Sequence, residues 1–221
     1  MEDNTVHQGG CLCGTVRFEA HGTPKRVGAC HCRYCQPELI ERMKDRAFRL
    51  CNTSNAYYRD QFGSPDVTVG YEPMGQEIAN ILGCDIDLFC ASVGTGGALM
   101  GTWQGLAKSG SKVSVVAFEP AQSPFLTTGN GGVHKVEGVG VGFGPPFLDR
   151  TVLSEIRTVD QEKGFSMCRR LAKEEGTFCG ASTGLNVAGA IELAKEMKPG
   201  QRVVTIACDS GLKYLGGHIY V

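Results

Sequence analysis

The stretch VGTGGALMGTW places three glycines and a threonine, Gly94–Gly97, between a predicted strand and a predicted helix. The first N–H groups of a helix have no partner inside it, and the helix dipole is positive there. Glycines at this point let the backbone close around an anion such as phosphate. The stretch lacks the Lys-Ser/Thr pair of a Walker loop, and Leu99 stands where the dinucleotide pattern needs its third glycine. We interpret Gly94–Gly97 as a phosphate cradle, with a plain tight turn as the alternative.

A second group of residues that could do chemistry lies near the N-terminus, where five cysteines fall within the first 35 residues. They form a Cys-x-Cys pair and a Cys-x-Cys-x-x-Cys group: Cys11, Cys13, Cys30, Cys32 and Cys35. This spacing puts several thiolates within reach of one tetrahedral ion, and zinc is the usual choice. We predict a zinc site here, and reduced thiols that hold no ion are the alternative.

The other six cysteines are scattered singly along the chain. Five stand in or beside apolar segments, where cysteine usually behaves as a small hydrophobic residue. We predict that these five lie in the core: Cys84, Cys90, Cys168, Cys179 and Cys208. Cys51 receives no assignment. An odd total of eleven cysteines without a secretory signal favours a reducing compartment, and we expect a cytoplasmic protein.

The elements that must position these residues change in character near residue 36. Before it, short alternating stretches such as TVRFEA favour strands. After it comes PELIERMKDRAFRL, which has a helical pattern. From about residue 84, predicted strands alternate with predicted helices. The strands are DIDLFCAS, KVSVVAFEP, SEIRTV and RVVTIACD, and the helices are ALMGTWQGLAKSG, DQEKGFSMCRRLAKEEG and GLNVAGAIELAKEMKPG. This alternation predicts an α/β fold with a parallel sheet covered by helices. We divide the chain into a cysteine-rich segment, 1–36, and an α/β domain, 37–221.

The net charge and the hydropathy of the chain argue against nucleic acid and membranes as partners. The formal net charge is −1, so no overall field attracts nucleic acid or an anionic membrane. No apolar run approaches the length of a membrane span, and the start, MEDNTVHQGG, is too polar for a signal peptide. We expect a small-molecule ligand, and neither nucleic acid nor a membrane as a partner.

A series of motifs between about residues 57 and 215 resembles the cysteine synthase and cystathionine β-synthase group of pyridoxal-phosphate enzymes, known as fold type II. The motifs occur in the family's order: DQFGSP, GQEI, SVGTGGALMG, VVAFEPAQSP, HKVEGVGVGFGPPFLD, RRLAKEEGTFCGASTG and CDSGLKYL. Ser64 replaces the family's usual asparagine, and Ala98 replaces the last threonine of its phosphate loop. The resemblance implies part of the large domain of a fold type II enzyme, and it implies a helix start at GQEI.

The resemblance also implies roles for individual residues. The backbone of Gly94–Gly97 and the hydroxyl of Thr95 would hold the cofactor phosphate. Ser182 would hydrogen-bond the pyridine nitrogen, a neutral partner that suits β-elimination and β-replacement; a helix N-cap is the alternative for this serine. Gln61 would lie near the substrate carboxylate, and two glycines would line the substrate cleft, Gly138 and Gly140. Glu119, Pro120 and His134 are better interpreted as structural residues.

The chain departs from the family in one chemically important feature. The family's N-terminal part carries a lysine that forms a Schiff base with pyridoxal phosphate, and no stretch of this chain matches it. Lys25, in TPKRV, lies inside the cysteine-rich segment and does not match. The stretch NTSNA, residues 52–56, is similar to the family's substrate loop but stands in a different place, so it receives no role. We therefore assign no catalytic residue and leave enzymatic activity open.

The cysteine-rich segment resembles the start of the glutathione-dependent formaldehyde-activating enzymes over about thirty residues. Its GGCLCGTVRFEA and CHCRYCQ stretches carry the resemblance. The resemblance implies an open zinc site made by Cys30, Cys32 and Cys35, with Cys11 and Cys13 as half of a structural zinc site.

The primary hypothesis for function is a cysteine synthase-like protein that acts, with pyridoxal phosphate, on an O-activated serine or a related amino acid. One alternative is a remnant or fusion protein that binds phosphate or zinc without turnover, and another is a zinc-dependent carbon–sulfur lyase. Since sheet edges and apolar patches tend to self-associate, we also expect a homo-oligomer.

We predict that the purified protein carries up to about one zinc ion per chain, because neighbouring thiolates bind zinc together. Elemental analysis after growth in zinc-containing medium measures the metal. Cys32→Ser should lose it and Cys179→Ser should keep it. A protein without metal under these conditions contradicts the zinc site.

Overall fold

The computed structural model of the chain describes residues 6–10, 17–21, 37–53 and 60–220. Near the N-terminus, β1 (Val6–Gly10) pairs with β2 (Arg17–His21) in an antiparallel two-stranded sheet. β2 overlaps the TVRFEA stretch, where the sequence predicts a strand. The cysteines predicted to bind zinc lie outside the described residues: Cys11, Cys13, Cys30, Cys32 and Cys35.

A parallel four-stranded sheet forms the centre of the described structure, in the order β5 (Leu153–Val159), β4 (Ser114–Pro120), β3 (Leu88–Ser92), β6 (Val203–Thr205). Each neighbouring pair is parallel, which confirms the predicted α/β fold. RVVTIACD is predicted to be a buried strand, but the strand found there, β6, lies at the edge of the sheet and its three residues are only half-buried.

Helices connect and cover these strands. In the described part of the chain they are α1 (Pro37–Thr53), α2 (Asp66–Leu82), α3 (Gly97–Lys108), α4 (Phe125–Thr128), α5 (Gln161–Glu174) and α6 (Ala181–Glu196), followed by a 3-10 helix over Gly211–Tyr214. Asp160, the first residue of the DQEKGFSMCRRLAKEEG stretch, caps α5 as a side-chain acceptor for the N–H groups of Glu162 and Lys163. The described helices include none that is long and apolar enough to cross a membrane.

The two inner strands of the central sheet, β3 and β4, bury side chains on both faces, because side chains alternate along each strand. Cys90, Val116 and Phe118 pack into one apolar cluster with α5 and α6. Phe89 and Val115 belong to the cluster on the other face, which includes residues of α2 and α3. Burial on both faces explains why β3 and β4 are almost continuously apolar in the sequence.

The position of α2 departs from expectation. The resemblance implied a helix start at Gly75, yet α2 begins at Asp66 and contains Pro73. Gly75 lies inside the helix, where its backbone touches the backbone of α3: a Cβ at this position would contact the Thr102 carbonyl and lie 2.6 Å from the Leu106 nitrogen. Close packing on α3 thus accounts for the glycine.

We predict opposite effects from two glycine substitutions in α2. Gly75→Ala should lower the free energy of unfolding by about 1–3 kcal/mol, because the methyl group meets backbone atoms that cannot move aside. Gly70→Ala, in the same helix but with nothing within 4 Å of a new Cβ, should raise it by about 0.5–1 kcal/mol. Denaturant unfolding of the two variants measures both changes. Equal stability of the variants contradicts the α2–α3 packing.

Candidate functional site

A cleft of about 750 Å³ opens at the carboxyl ends of β3 and β6. In parallel α/β sheets this end of the strands is the usual place for a ligand. The cleft brings together six of the predicted residues, which come from separate parts of the chain: Gln61, Gly94, Thr95, Gly96, Gly138 and Ser182.

The glycine loop forms one wall of the cleft and leads into α3. Gly96 is the N-cap of α3 and has a φ of 89°, which glycine adopts without strain. The Thr95 hydroxyl accepts the Gly97 N–H at 3.2 Å, and the helical hydrogen bonds begin with Met100, whose N–H donates to the Gly96 carbonyl at 2.9 Å. The N–H groups of this first turn lie at the positive end of the helix dipole, as an anion cradle requires.

Ser182 lies in the first turn of α6, with only 6% of its surface exposed, and its side chain lines the cleft. The N-cap of this helix is Gly180, so the alternative interpretation of Ser182 as an N-cap is wrong. Its hydroxyl is therefore placed to meet a ligand in the cleft.

Hydrogen bonds between two distant motifs position the start of α6. The Gly180 N–H donates to the Asp209 carbonyl at 3.0 Å, and the Gly211 N–H donates to the Phe178 carbonyl at 3.1 Å. The Tyr214 hydroxyl donates to Asp209 Oδ2 at 3.1 Å. The segment after β6 is thereby fastened beside Ser182.

Asn186, fully buried one turn further along α6, ties the helix to two strands. Its Oδ1 accepts the N–H of Ser92, the last residue of β3, at 2.7 Å. Its Nδ2 donates to the carbonyl of Ile206, directly after β6, at 2.9 Å. Asn186 thus sets where both strands end relative to α6.

The cleft contains buried polar atoms that need a partner, and Asp209 Oδ1 is one of them. The Ser92 hydroxyl is buried, lines the cleft and has no hydrogen-bond partner among the described residues. Together with the glycine loop and Ser182, it gives the cleft polar groups at several points along apolar walls that include Val67, Leu99 and Val139. The cleft therefore offers hydrogen-bonding groups at separate points between apolar side chains.

Sequence reasoning gave no role to the charged residues of the cleft: Glu137, Asp209 and Lys213. Lys213 Nζ lies 3.0 Å from Glu137 Oε2 and 3.9 Å from Asp209 Oδ2, so it joins the loop before β5 to the segment after β6. Among the lining side chains that the structure describes, Lys213 carries the positive charge. All three residues belong to motifs that carry the family resemblance. Membership of those motifs was the signal by which the sequence could have identified them as cleft residues.

Three predicted residues lie at the border of the cleft or behind it. Gly138 lines the cleft, whereas Gly140 packs behind it, where a Cβ would lie 2.8 Å from His134 Nε2 and 2.9 Å from Pro120 Cδ. Gly97 packs against the side chain of Val67. The substrate-contacting role of Gly140 stays a prediction.

The residues predicted to be structural have structural contacts. The buried Glu119 carboxylate accepts the N–H groups of Leu126 and Thr127 at 2.6 and 3.0 Å. His134 Nε2 lies 3.0 Å from the Gly140 carbonyl oxygen, and burial lowers the pKa of this histidine. Both side chains hold loops in place, as expected.

Three of the five cysteines predicted to lie in the core are buried, and two are exposed. Cys90, Cys168 and Cys179 are buried, as predicted, but the prediction is wrong for Cys84 and Cys208, which are exposed. Cys208 lines the cleft. Within residues 37–53 and 60–220, no cluster of three or more histidine, cysteine or acidic side chains is arranged to hold a metal.

Comparison with known sequences gives a consistent family. A family model described as "Pyridoxal-phosphate dependent enzyme" matches residues 8–209, across the predicted boundary at residue 36. Cysteine synthase from Staphylococcus aureus (strain Mu50 / ATCC 700699) is 41% identical over 138 residues, covering 62% of this chain and 44% of that protein. A probable cysteine synthase from Bacillus subtilis (strain 168) is 35% identical over 187 residues, covering 83% and 60%. The chain thus spans about half the length of these relatives.

Solved structures share the fold. The crystal structure of O-ureido-L-serine synthase matches with a TM-score of 0.76 and 30% identity, covering 81% of this chain and 58% of that one. The O-acetylserine-dependent cystathionine β-synthase from Helicobacter pylori matches with a TM-score of 0.75 and 33% identity, covering 82% and 58%.

We predict that Asn186→Leu lowers the free energy of unfolding by about 2–4 kcal/mol, because it leaves the Ser92 N–H and the Ile206 carbonyl without their side-chain partner. Denaturant unfolding measures the change. Asn130→Leu, in an exposed loop, is the control and should change stability by less than about 0.5 kcal/mol. Equal effects of the two substitutions on stability would refute the stabilising role of the hydrogen bonds that Asn186 makes to Ser92 and Ile206.

Proposed function

The chain belongs to the pyridoxal-phosphate-dependent enzyme family, and from this we propose that its cleft binds pyridoxal phosphate. The phosphate would lie on the Gly94–Gly97 loop, and the ring nitrogen would accept a hydrogen bond from the Ser182 hydroxyl. The observation that carries the proposal is that the loop and Ser182, distant in sequence, line the same cleft. The backbone N–H groups at the start of α3 suit an anion, and Ser182 has no capping role that competes.

We propose that the associated reaction is β-replacement or β-elimination on an O-activated serine or a related amino acid. The names of the S. aureus and B. subtilis relatives and of the H. pylori enzyme support this class of reaction. Bound pyridoxal phosphate would supply an electron sink for the carbanion that such chemistry forms at the amino-acid α-carbon. A neutral hydroxyl beside the ring, as at Ser182, suits that chemistry better than a carboxylate.

The other residues of the cleft would bind and orient the substrate. Gln61 offers an amide near the entrance for the substrate carboxylate, and Phe62 anchors its turn by packing with Ile40 and Val141. Gly138 has a φ of 83° and nothing within 4 Å of a Cβ position, so its backbone leaves room for a ligand. In this proposal the ion pair between Lys213 and Glu137 holds the two sides of the cleft together.

We propose that this chain holds the cofactor without a covalent bond. No stretch of its sequence matches the lysine segment of the resemblance, and the amine of Lys213 is engaged by Glu137 at 3.0 Å. Binding would then depend on the phosphate cradle and the ring partner. Zinc-dependent lyase chemistry would rest on cysteines that lie outside the described residues.

We predict that pyridoxal phosphate binds more tightly than pyridoxal, because the cradle contributes to affinity through the phosphate. Ser182→Ala should weaken pyridoxal phosphate binding by about fivefold, the loss of roughly one neutral hydrogen bond. Ser166→Ala, at an exposed position of α5, should leave it unchanged. Fluorescence titration of both ligands into the three proteins measures these affinities.

Two outcomes would contradict this arrangement. Equal affinity for pyridoxal and its phosphate would exclude the cradle. A single lysine found by mass spectrometry after borohydride reduction would exclude purely non-covalent binding. Binding without turnover of O-activated serine would favour a binding protein over an enzyme.

A further inference from the structure

The Ser92 hydroxyl is buried without a hydrogen-bond partner among the described residues, although Ser92 lines the cleft. A hydroxyl in a protein interior that makes no hydrogen bond is destabilising, so such groups are uncommon in folded proteins. Where the hydroxyl belongs to a residue that lines a cleft, a bound ligand can provide the missing partner. Ser92 therefore marks a point at which we expect a polar atom of the ligand.

The alternation of side chains along β3 places Ser92 on the α6 side of the sheet. Cys90, two residues earlier, packs in the cluster that contains residues of α5 and α6, whereas Phe89 and Ala91 belong to the opposite cluster. Ser92 is the last residue of β3, and the glycine loop begins two residues later. The hydroxyl thus lies on the side of α6, close to the point where the chain enters the loop.

Two backbone contacts fix Ser92 in this position. Its N–H donates to Asn186 Oδ1 at 2.7 Å, and its backbone pairs with Phe118 of β4. Ser182 lies one turn before Asn186 in α6 and lines the same cleft. Residues four apart lie on the same face of a helix, so Ser92 and Ser182 approach the cleft from neighbouring positions. One hydroxyl from β3 and one from α6 are therefore available at the same end of the cleft.

We propose that Ser92 is a second ligand-binding residue at the ring end of the cleft, where its hydroxyl and that of Ser182 together bind the pyridine nitrogen. This inference rests on the proposed function, since it concerns the same cofactor. A pyridine nitrogen has one lone pair, so one hydroxyl donates to the nitrogen and the other donates to the oxygen of the first. Both hydroxyls are then paired. The observation that carries the inference is the unpaired hydroxyl of Ser92 in the wall of this cleft.

The first test compares pyridoxal phosphate with its 1-deaza analogue, in which a C–H group replaces the ring nitrogen. Ser92→Ala should weaken binding of pyridoxal phosphate by about threefold to tenfold, as expected for the loss of one neutral hydrogen bond. The same substitution should change binding of the analogue by less than about twofold, because the analogue offers no acceptor at this position. Isothermal titration calorimetry on the wild-type and variant chains measures the affinities. Unchanged affinity for pyridoxal phosphate, or equal losses with both ligands, would overturn the inference.

The second test separates a binding role from a structural one. Because the Ser92 hydroxyl has no partner among the described residues, Ser92→Ala should not lower the midpoint of denaturant unfolding of the ligand-free chain. Thr102→Val is the matched control: the Thr102 hydroxyl is also buried without a partner in the described part of the chain, but Thr102 does not line the cleft. It should leave the affinity for pyridoxal phosphate unchanged. A lower midpoint for Ser92→Ala, or the same loss of affinity in both variants, would contradict a binding role for Ser92.

The two proposals fail in different ways. Equal affinity of the wild-type chain for pyridoxal and its phosphate would refute the proposed function and this inference with it. Phosphate-dependent binding that Ser92→Ala leaves unchanged would refute only the inference. Ser92→Gly removes the same hydroxyl and should give the same two affinities, so the decision does not depend on the folding of a single variant.

Discussion

The cleft depends on one buried amide. Asn186 accepts a hydrogen bond from the end of β3 and donates one to the backbone just after β6, so α6 cannot move without breaking its contact with both strands. Each of these main-chain groups would otherwise be buried without this partner, which is costly in a protein interior. Because Ser182 lies one turn earlier in the same helix, this contact also sets the position of the hydroxyl relative to the glycine loop that follows β3.

In the proposed function, backbone groups of the described residues, rather than cationic side chains, would bind the anion in the cleft. The lysine that lines it is paired with Glu137, and Asp209 stands nearby, so these side chains offer an anion no free positive charge. Among the described residues, attraction for a phosphate would therefore come from the N–H groups and the dipole of α3. Binding through backbone N–H groups requires that the loop hold one conformation. The close contact between the Gly94 backbone and the carbonyl of Gly138 helps to fix that conformation.

Local patterns predicted those parts of the structure whose causes are local. β3 and β4 were recognised because burial on both faces makes them almost continuously apolar, and α5 occupies the DQEKGFSMCRRLAKEEG stretch, where Asp160 caps it. The early start of α2 could not be predicted, because glycines and Pro73 in DVTVGYEPMGQEI disfavour a helix by propensity. That helix is stabilised by packing on α3, an interaction between segments that the local sequence does not reveal.

The sequence by itself determined the family, the order of the motifs, the α/β class and the residue types available for binding phosphate. Only the tertiary structure decided which of those residues meet. It made Gly180 the N-cap of α6 and so directed Ser182 to the cleft, and it placed Gly140 behind the cleft wall. It also exposed Cys208, because β6 is a short edge strand and the chain leaves the sheet before reaching this cysteine. Apolar neighbours in the sequence indicate that a cysteine is buried only when the strand extends as far as that cysteine. The length of β6 is set by its pairing with β3, which ends at Thr205.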